Sequence, residues 1–270
     1  MSGTGLMFTA SDGVRICYDD EGSGAPVLLV HGYSASREYW PFQRRALLDA
    51  GYRVINIDQR NHGDSDRAAF GQRMSRHGLD LRELMDGLQL TDVNLVGHSM
   101  GVSVSLALFS LFGTRDVSRF VAVDQSPKIV NDETWKWGVL GVEWPHAWEQ
   151  ANMRHPWGEL DREPDMPEAA ARELAKLTHH HDNYPHEQVT QLLLDHFVAD
   201  WRDVLPRIDI PTWVVTGRLN PYYHAEGMEW FAQQVQRGSY SMFENSGHEP
   251  HMNEPDLFNE RLLQFLETTP

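Results

Sequence analysis

Val93-Asn94-Leu95-Val96-Gly97-His98-Ser99-Met100-Gly101-Val102-Ser103-Val104 is the stretch on which the fold turns. An apolar run, Val93 to His98, reads as a buried strand, and Met100 to Phe112 reads as a helix. Between them stands Gly97-His98-Ser99-Met100-Gly101. Glycines two before and two after the serine let the chain turn sharply without Cβ clashes, and the hydroxyl then stands exposed at the strand's C-terminal end. The bare pattern is common by chance. With strand, turn and helix in the required order it becomes specific, and Ser99 is the candidate nucleophile.

The same alternation extends both ways. Val14 to Tyr18 reads as an edge strand holding Cys17 as a small packed residue, and Pro26 to His31 as a strand buried on both faces. Glu38 to Ala50 is expected to be a helix stopped by Gly51, Arg53 to Asp58 a strand, Ser75 to Leu88 a helix and Arg119 to Asp124 a strand. The pattern then breaks. Residues 128–201 show helical stretches without a clear buried strand, and this region and its boundary hold Trp135, Trp137, Trp144, Trp148, Trp157 and Trp201, six of the nine tryptophans. Strand and helix signals resume with Pro211 to Gly217, His224 to Gln236, Ser239 to Phe243 and Pro255 to Leu266. The expected fold class is α/β, a mostly parallel sheet with helices on both faces. Residues 1–127 and 202–270 form its core, and 128–201 an inserted helical cap.

Composition narrows the function. The 270 residues carry a net charge of 23 − 39 = −16, which repels nucleic acid and anionic membranes at long range. One cysteine excludes an intrachain disulfide framework and a cysteine-based zinc cluster. No basic segment followed by an apolar one opens the chain, and the longest weakly polar stretch, Val102 to Gly113, falls well short of the roughly 20 residues that span a bilayer. A cytoplasmic location, a small-molecule substrate and no nucleic acid or membrane partner are expected; the oligomeric state stays open.

A serine hydroxyl needs a base. Ser246-Gly247-His248 lies between the last strand and the last helix, where His248 can reach back over the sheet; His251, His31 and His98 are its rivals. An oxyanion needs two donors. The Met100 N–H follows the nucleophile, and His31-Gly32-Tyr33 ends the first buried strand, so the Tyr33 N–H is the second candidate.

Together these motifs resemble the α/β-hydrolase family along nearly the whole chain, the inserted helices being similar to that family's cap. Asp58-Gln59-Arg60-Asn61-His62-Gly63-Asp64-Ser65 resembles a loop seen in some small esterases and reads as structural support at the site's edge. The resemblance implies an acid between Ser99 and His248 in the chain. Many members carry it three residues after the glycine ending the strand that follows the cap, but here Gly217-Arg218-Leu219-Asn220 offers an amide. Asp124, where some relatives place their acid, is the expected replacement, with Glu226 in reserve. Asp124 could also cap a helix where the chain enters the insertion.

The expected activity is cofactor-independent hydrolysis of a small, largely apolar, even aromatic, ester or lactone. His31, His98 and the aromatics Trp135, Trp137 and Trp144 are candidate substrate contacts, although bulky residues would equally serve a small helical core. His179-His180-His181 does not read as a metal site, because successive helical side chains point about 100° apart. Two other readings stay open: a cofactor-free dioxygenase in which a His–Asp pair deprotonates an N-heteroaromatic substrate, and a non-catalytic ligand receptor.

Overall fold

In a computed structural model of the chain, residues 5–153, 167–173 and 189–268 are described. Eight strands form one sheet: β1 (Leu6–Thr9), β2 (Arg15–Gly22), β3 (Pro26–Val30), β4 (Arg53–Ile57), β5 (Val93–His98), β6 (Val117–Val123), β7 (Thr212–Gly217) and β8 (Gly238–Phe243). Their order is β1-β2-β4-β3-β5-β6-β7-β8. From β4 to β8 all neighbours are parallel, and β1 and β2 close one edge as antiparallel strands.

The apolar runs are continuous because helices cover both faces. Val27 and Leu29 of β3 point to a layer with α1 (Pro41–Asp49) and the C-terminal helix α8 (Pro255–Glu267). Leu28 and Val30 point the other way, to α2 (Met74–Gly87), α3 (Met100–Phe112) and α6 (Ala225–Gln234). The short α7 (Pro250–Asn253) leads into α8.

Three elements differ from the expectations. Strand β2 is not the edge: β1, a short strand outside the expected set, pairs beyond it and leaves Leu6 and Met7 exposed. Strand β2 continues past Tyr18 through Asp19, Asp20 and Glu21, whose charges are met by Arg37, Arg53 and Arg44. Helix α1 begins at Pro41 rather than Glu38, with proline in the first turn, where its missing N–H costs nothing; a separate 3-10 turn covers Arg37–Tyr39.

After β6 the chain leaves the sheet. It forms 3-10 turns at Val139–Gly141 and Trp144–His146, α4 (Ala147–Ala151), a helical stretch at 168–173 and α5 (Thr190–Val198). Exit and return are joined: Lys128 pairs with Asp200 in an antiparallel bridge, and the Trp201 N–H donates to the Pro127 carbonyl at 2.9 Å. Ile129, Val139, Ala147, Leu193, Phe197 and Tyr223 share one apolar cluster, with Tyr33 of the β3 loop packed against it. Trp157 and His179-His180-His181 lie outside the described residues. Among the described residues no helix is long and apolar enough to cross a membrane.

Candidate active site

Ser99 occupies the step from β5 to α3 with φ 50° and ψ −125°, a backbone conformation that L-residues rarely adopt. Two hydrogen bonds fix the turn: the Ser99 N–H donates to the Val123 carbonyl at 2.9 Å, and the Val102 N–H to the Ser99 carbonyl at 2.8 Å. The flanking glycines are required by space. A Cβ on Gly97 would sit 2.7 Å from the Gly101 carbonyl oxygen, and one on Gly101 only 2.2 Å from that of Val30. Gly32 brings the β3 loop against the same turn, since a Cβ there would stand 3.1 Å from the Ser99 Cβ. Met100 opens α3, so its N–H is among those without an acceptor inside the helix. Tyr33 follows Gly32 in the approaching loop.

The carboxylate at the end of β6 is the centre of the network. Asp124 is fully buried at φ 55°, its N–H bound to the Val215 carbonyl at 2.8 Å. His248 Nδ1 donates to Asp124 Oδ2 at 2.6 Å. Asn220 Nδ2 donates to the same oxygen at 2.6 Å, and the Thr216 hydroxyl to Oδ1 at 2.5 Å. Burial pushes the Asp124 carboxyl above the ordinary range; bonds from His248, Thr216 and Asn220 favour its ionised form. Asp124 therefore does not cap a helix. Glu226, the reserve acid, lies in the first turn of α6.

Asn220 stands where the resemblance led to an acid being expected, and its amide bonds the Asp124 carboxylate. Its Oδ1 accepts the N–H groups of Tyr222 at 2.7 Å and Tyr223 at 3.2 Å, which aims its amide at Asp124. Tyr222 and Tyr223 flank the His248 ring, with centroids at 5.0 and 5.8 Å. The Tyr223 hydroxyl donates to Gln125 Oε1 at 2.8 Å. None of Thr216, Tyr222, Tyr223 or Gln125 is singled out by the sequence, although Tyr222 and Tyr223 directly follow the conspicuous Asn220-Pro221.

The proposed substrate contacts are dispersed. His31 is buried, its Nδ1–H donating to the Gly32 carbonyl at 2.7 Å while Nε2 accepts the Gln59 N–H at 3.1 Å. That pattern requires a neutral imidazole, and burial lowers its pKa. His31 thus ties the β3 loop to the β4 loop. His98 is enclosed by Tyr39, Trp40, His248 and His251 on the α1 side of the sheet. Trp135 is buried and packs edge-on against Trp137 and Trp230 at 5.1 and 5.2 Å, with the Arg202 guanidinium over its ring. It pins the start of the insertion to α6. Trp144 is 58% exposed.

The Asp58–Ser65 loop is an ion-pair scaffold. Arg60 is buried and bidentate to Asp80 at 2.6 and 2.7 Å. Among the described residues one group could present three ligand atoms to a metal, Cys17, Asp58 and Asp64, but the Arg37 guanidinium already bonds both carboxylates. Burial pushes the Cys17 thiol up to about 11, which suits a packed residue.

A serine held on a tight strand-to-helix turn, with a half-buried imidazole after β8 bonded to a buried carboxylate after β6, marks a class of α/β proteins. A family model described as the alpha/beta hydrolase family matches residues 27–261, and the chain belongs to that family. It is 31% identical to the non-heme chloroperoxidase CPO-A1 of Kitasatospora aureofaciens, over 96% of this chain and 98% of the relative. It is 28% identical to the (E)-2-((N-methylformamido)methylene)succinate hydrolase of Acinetobacter baylyi, over 94% of each. Among solved structures, an esterase from Exiguobacterium antarcticum superposes with a TM-score of 0.85 at 25% identity, covering 98% of this chain and all of the other.

Proposed function

We propose that the chain is a serine hydrolase of a small, largely apolar ester or lactone, with residues 128–201 as a cap over the site. Ser99 attacks the carbonyl carbon while His248 accepts the hydroxyl proton. The Tyr33 and Met100 N–H groups hold the oxyanion of the tetrahedral intermediate. His248 then returns the proton to the departing alcohol, leaving an acyl-Ser99 ester. Water, deprotonated by His248, attacks that ester and releases the acid. Asp124 keeps the Nδ1 proton in place and stabilises the imidazolium.

The 2.6 Å bond between His248 Nδ1 and Asp124 carries the proposal, because it leaves Nε2 as the basic nitrogen. The esterase and the succinate hydrolase among the similar proteins support hydrolysis. A fluorophosphonate probe tests it: a single adduct on the peptide holding Ser99, with loss of 4-nitrophenyl acetate hydrolysis, is expected. Full activity in probe-treated protein or in Ser99→Ala protein would refute the acyl-enzyme route.

A second reading keeps one observation. Asp124 lies where the cofactor-free dioxygenase alternative requires its acid, and that chemistry needs His248 and Asp124 but not Ser99. Oxygen uptake with N-heteroaromatic alcohols that survives Ser99→Ala and disappears in His248→Ala would favour it. Peroxide-dependent halide oxidation, the activity in the name of the chloroperoxidase relative, belongs on the same panel.

Asn220→Asp should expose the electrostatics of the pair. A second carboxylate would face Asp124 Oδ2 across the present 2.6 Å contact. Like charges at that range cannot both ionise cheaply, so one proton is retained to higher pH. The acid limb of the kcat/KM profile is expected to move up by about one pH unit or more. An unmoved limb would mean that Asn220 does not bear on the acid.

A further inference from the structure

We propose that His98, the residue before the nucleophile, is a positioning residue that holds the His248 loop through a hydrogen bond to its backbone. His98 Nε2 lies 2.9 Å from the His248 carbonyl oxygen, an acceptor only, so Nε2 carries the proton. Its Nδ1 faces the β3 loop, where a Cβ on Gly32 would stand 3.3 Å away. The ring is nearly parallel to that of Tyr39, at 5.9 Å and 20°. It meets the His248 and His251 rings at 4.7 Å each. One buried imidazole thus touches three parts of the site: its own backbone carries Ser99, its Nδ1 edge abuts the oxyanion loop, and its N–H grips the base.

The geometry accounts for a histidine at this point. His248 follows Gly247 in an irregular connection between β8 and α7, outside any strand ladder. Around it the loop is held at several points. The Gly247 N–H donates to Asn253 Oδ1 at 3.1 Å, Gln43 Nε2 to the His251 carbonyl at 2.9 Å, and the Tyr39 hydroxyl to Glu249. The His98 bond reaches the backbone of His248 itself. Asp124 fixes the ring's rotation and His98 fixes its origin, and both are needed to keep Nε2 over a serine on a rigid turn.

The proposal rests on the hydrolase reading above, and the test separates the two. Wild-type protein labelled at Ser99 by a fluorophosphonate satisfies that reading. His98→Phe, which keeps a flat ring and removes the donor, is then expected to lower kcat for 4-nitrophenyl acetate by about a hundredfold, as a displacement near 1 Å does, with KM nearly constant. His98→Gln, which can present an amide N–H near the Nε2 position, is expected to recover at least tenfold of that loss. Equal kcat in wild-type and His98→Phe proteins, or equal losses in both variants, overturns the positioning role. Should His98→Phe not fold, nitrogen NMR of the wild type decides: a neutral His98 with its proton on Nε2 from pH 6 to 8 is expected, and a proton on Nδ1 overturns the proposal. A wild-type enzyme that fails to label refutes the hydrolase reading instead.

Discussion

Replacing Asp124 by alanine is expected to lower kcat for aryl ester hydrolysis by about four orders of magnitude, the loss seen when a serine protease triad loses its acid. The measurement is kcat per folded molecule, with folding checked by circular dichroism. Asparagine should be milder here than alanine, for a reason specific to this site. In a serine protease an asparagine can turn its amide towards the imidazole and stabilise the wrong tautomer. Here two donors, His248 Nδ1 and Asn220 Nδ2, point at one oxygen of residue 124, while a hydroxyl that can also accept, Thr216, faces the other. An asparagine side chain at this position satisfies all three by keeping its oxygen on the His248 side. The working tautomer survives and only the charge is lost. Asp124→Asn should therefore retain more activity than Asp124→Ala, and adding Asn220→Ala should remove that advantage. Equal rates in the three variants would show that the tautomer is not controlled at this oxygen.

The second large effect is acid lability. His31, His62, His77, His98, His196 and His251 are all buried, and burial is the leading cause that holds each below its ordinary pKa, to about 3 for His196 and His251. A histidine that stays neutral when folded takes up its proton on unfolding. Stability from these groups is complete above the unfolded pKa near 6.5 and falls as the pH drops through it. His196 and His251 each contribute a slope of about 1.4 kcal/mol per pH unit, together about 3 kcal/mol by pH 5.5, and the other four act in the same direction. That is a sizeable share of the usual total stability of about 5–15 kcal/mol. Asp19, Asp80, Asp124 and Asp195, whose carboxyls burial raises, bind protons more readily when folded and offset part of the loss at lower pH. The urea midpoint of the wild type is expected to fall between pH 7 and pH 5, above the range of ordinary carboxylate-driven denaturation. His196 isolates the effect, since among the described residues neither of its ring nitrogens has a hydrogen-bond partner. In urea melts, His196→Phe should gain about 2 kcal/mol more over wild type at pH 5 than at pH 8. A wild-type urea midpoint that is the same at pH 5 and pH 7 would contradict the account.

Much of this site is legible in the one-dimensional order of residues, because the sheet is parallel. Parallel strands bring their C-terminal ends to one edge, so Ser99, Asp124, Asn220 and His248, each within five residues of a strand's end, converge there. The glycines around Ser99 are legible for the same local reason: no other residue fits those contacts. Side-chain direction is not legible. Trp135 packs into the insertion and against α6, whereas His98 turns its ring onto the His248 loop, and nothing in a linear pattern says on which side of a turn a ring will lie. Strand β2 runs longer than expected because its carboxylates look like a loop until the arginines that pair with them, 18 to 33 residues away, are in place. Asn220 signals a departure, but that it binds Asp124 takes coordinates to see.

The bridge between Lys128 and Asp200, with Trp201 bound to Pro127, brings the two ends of the insertion to a single doorway beside β6. A segment that leaves and re-enters through one doorway exerts little leverage on the strands below. Its length and content can drift, or be grafted from another member, while the spacing between β6 and β7 stays constant. On the proposed reading, with the insertion as cap and Ser99 as nucleophile, substrate range and chemistry would be free to evolve on separate schedules.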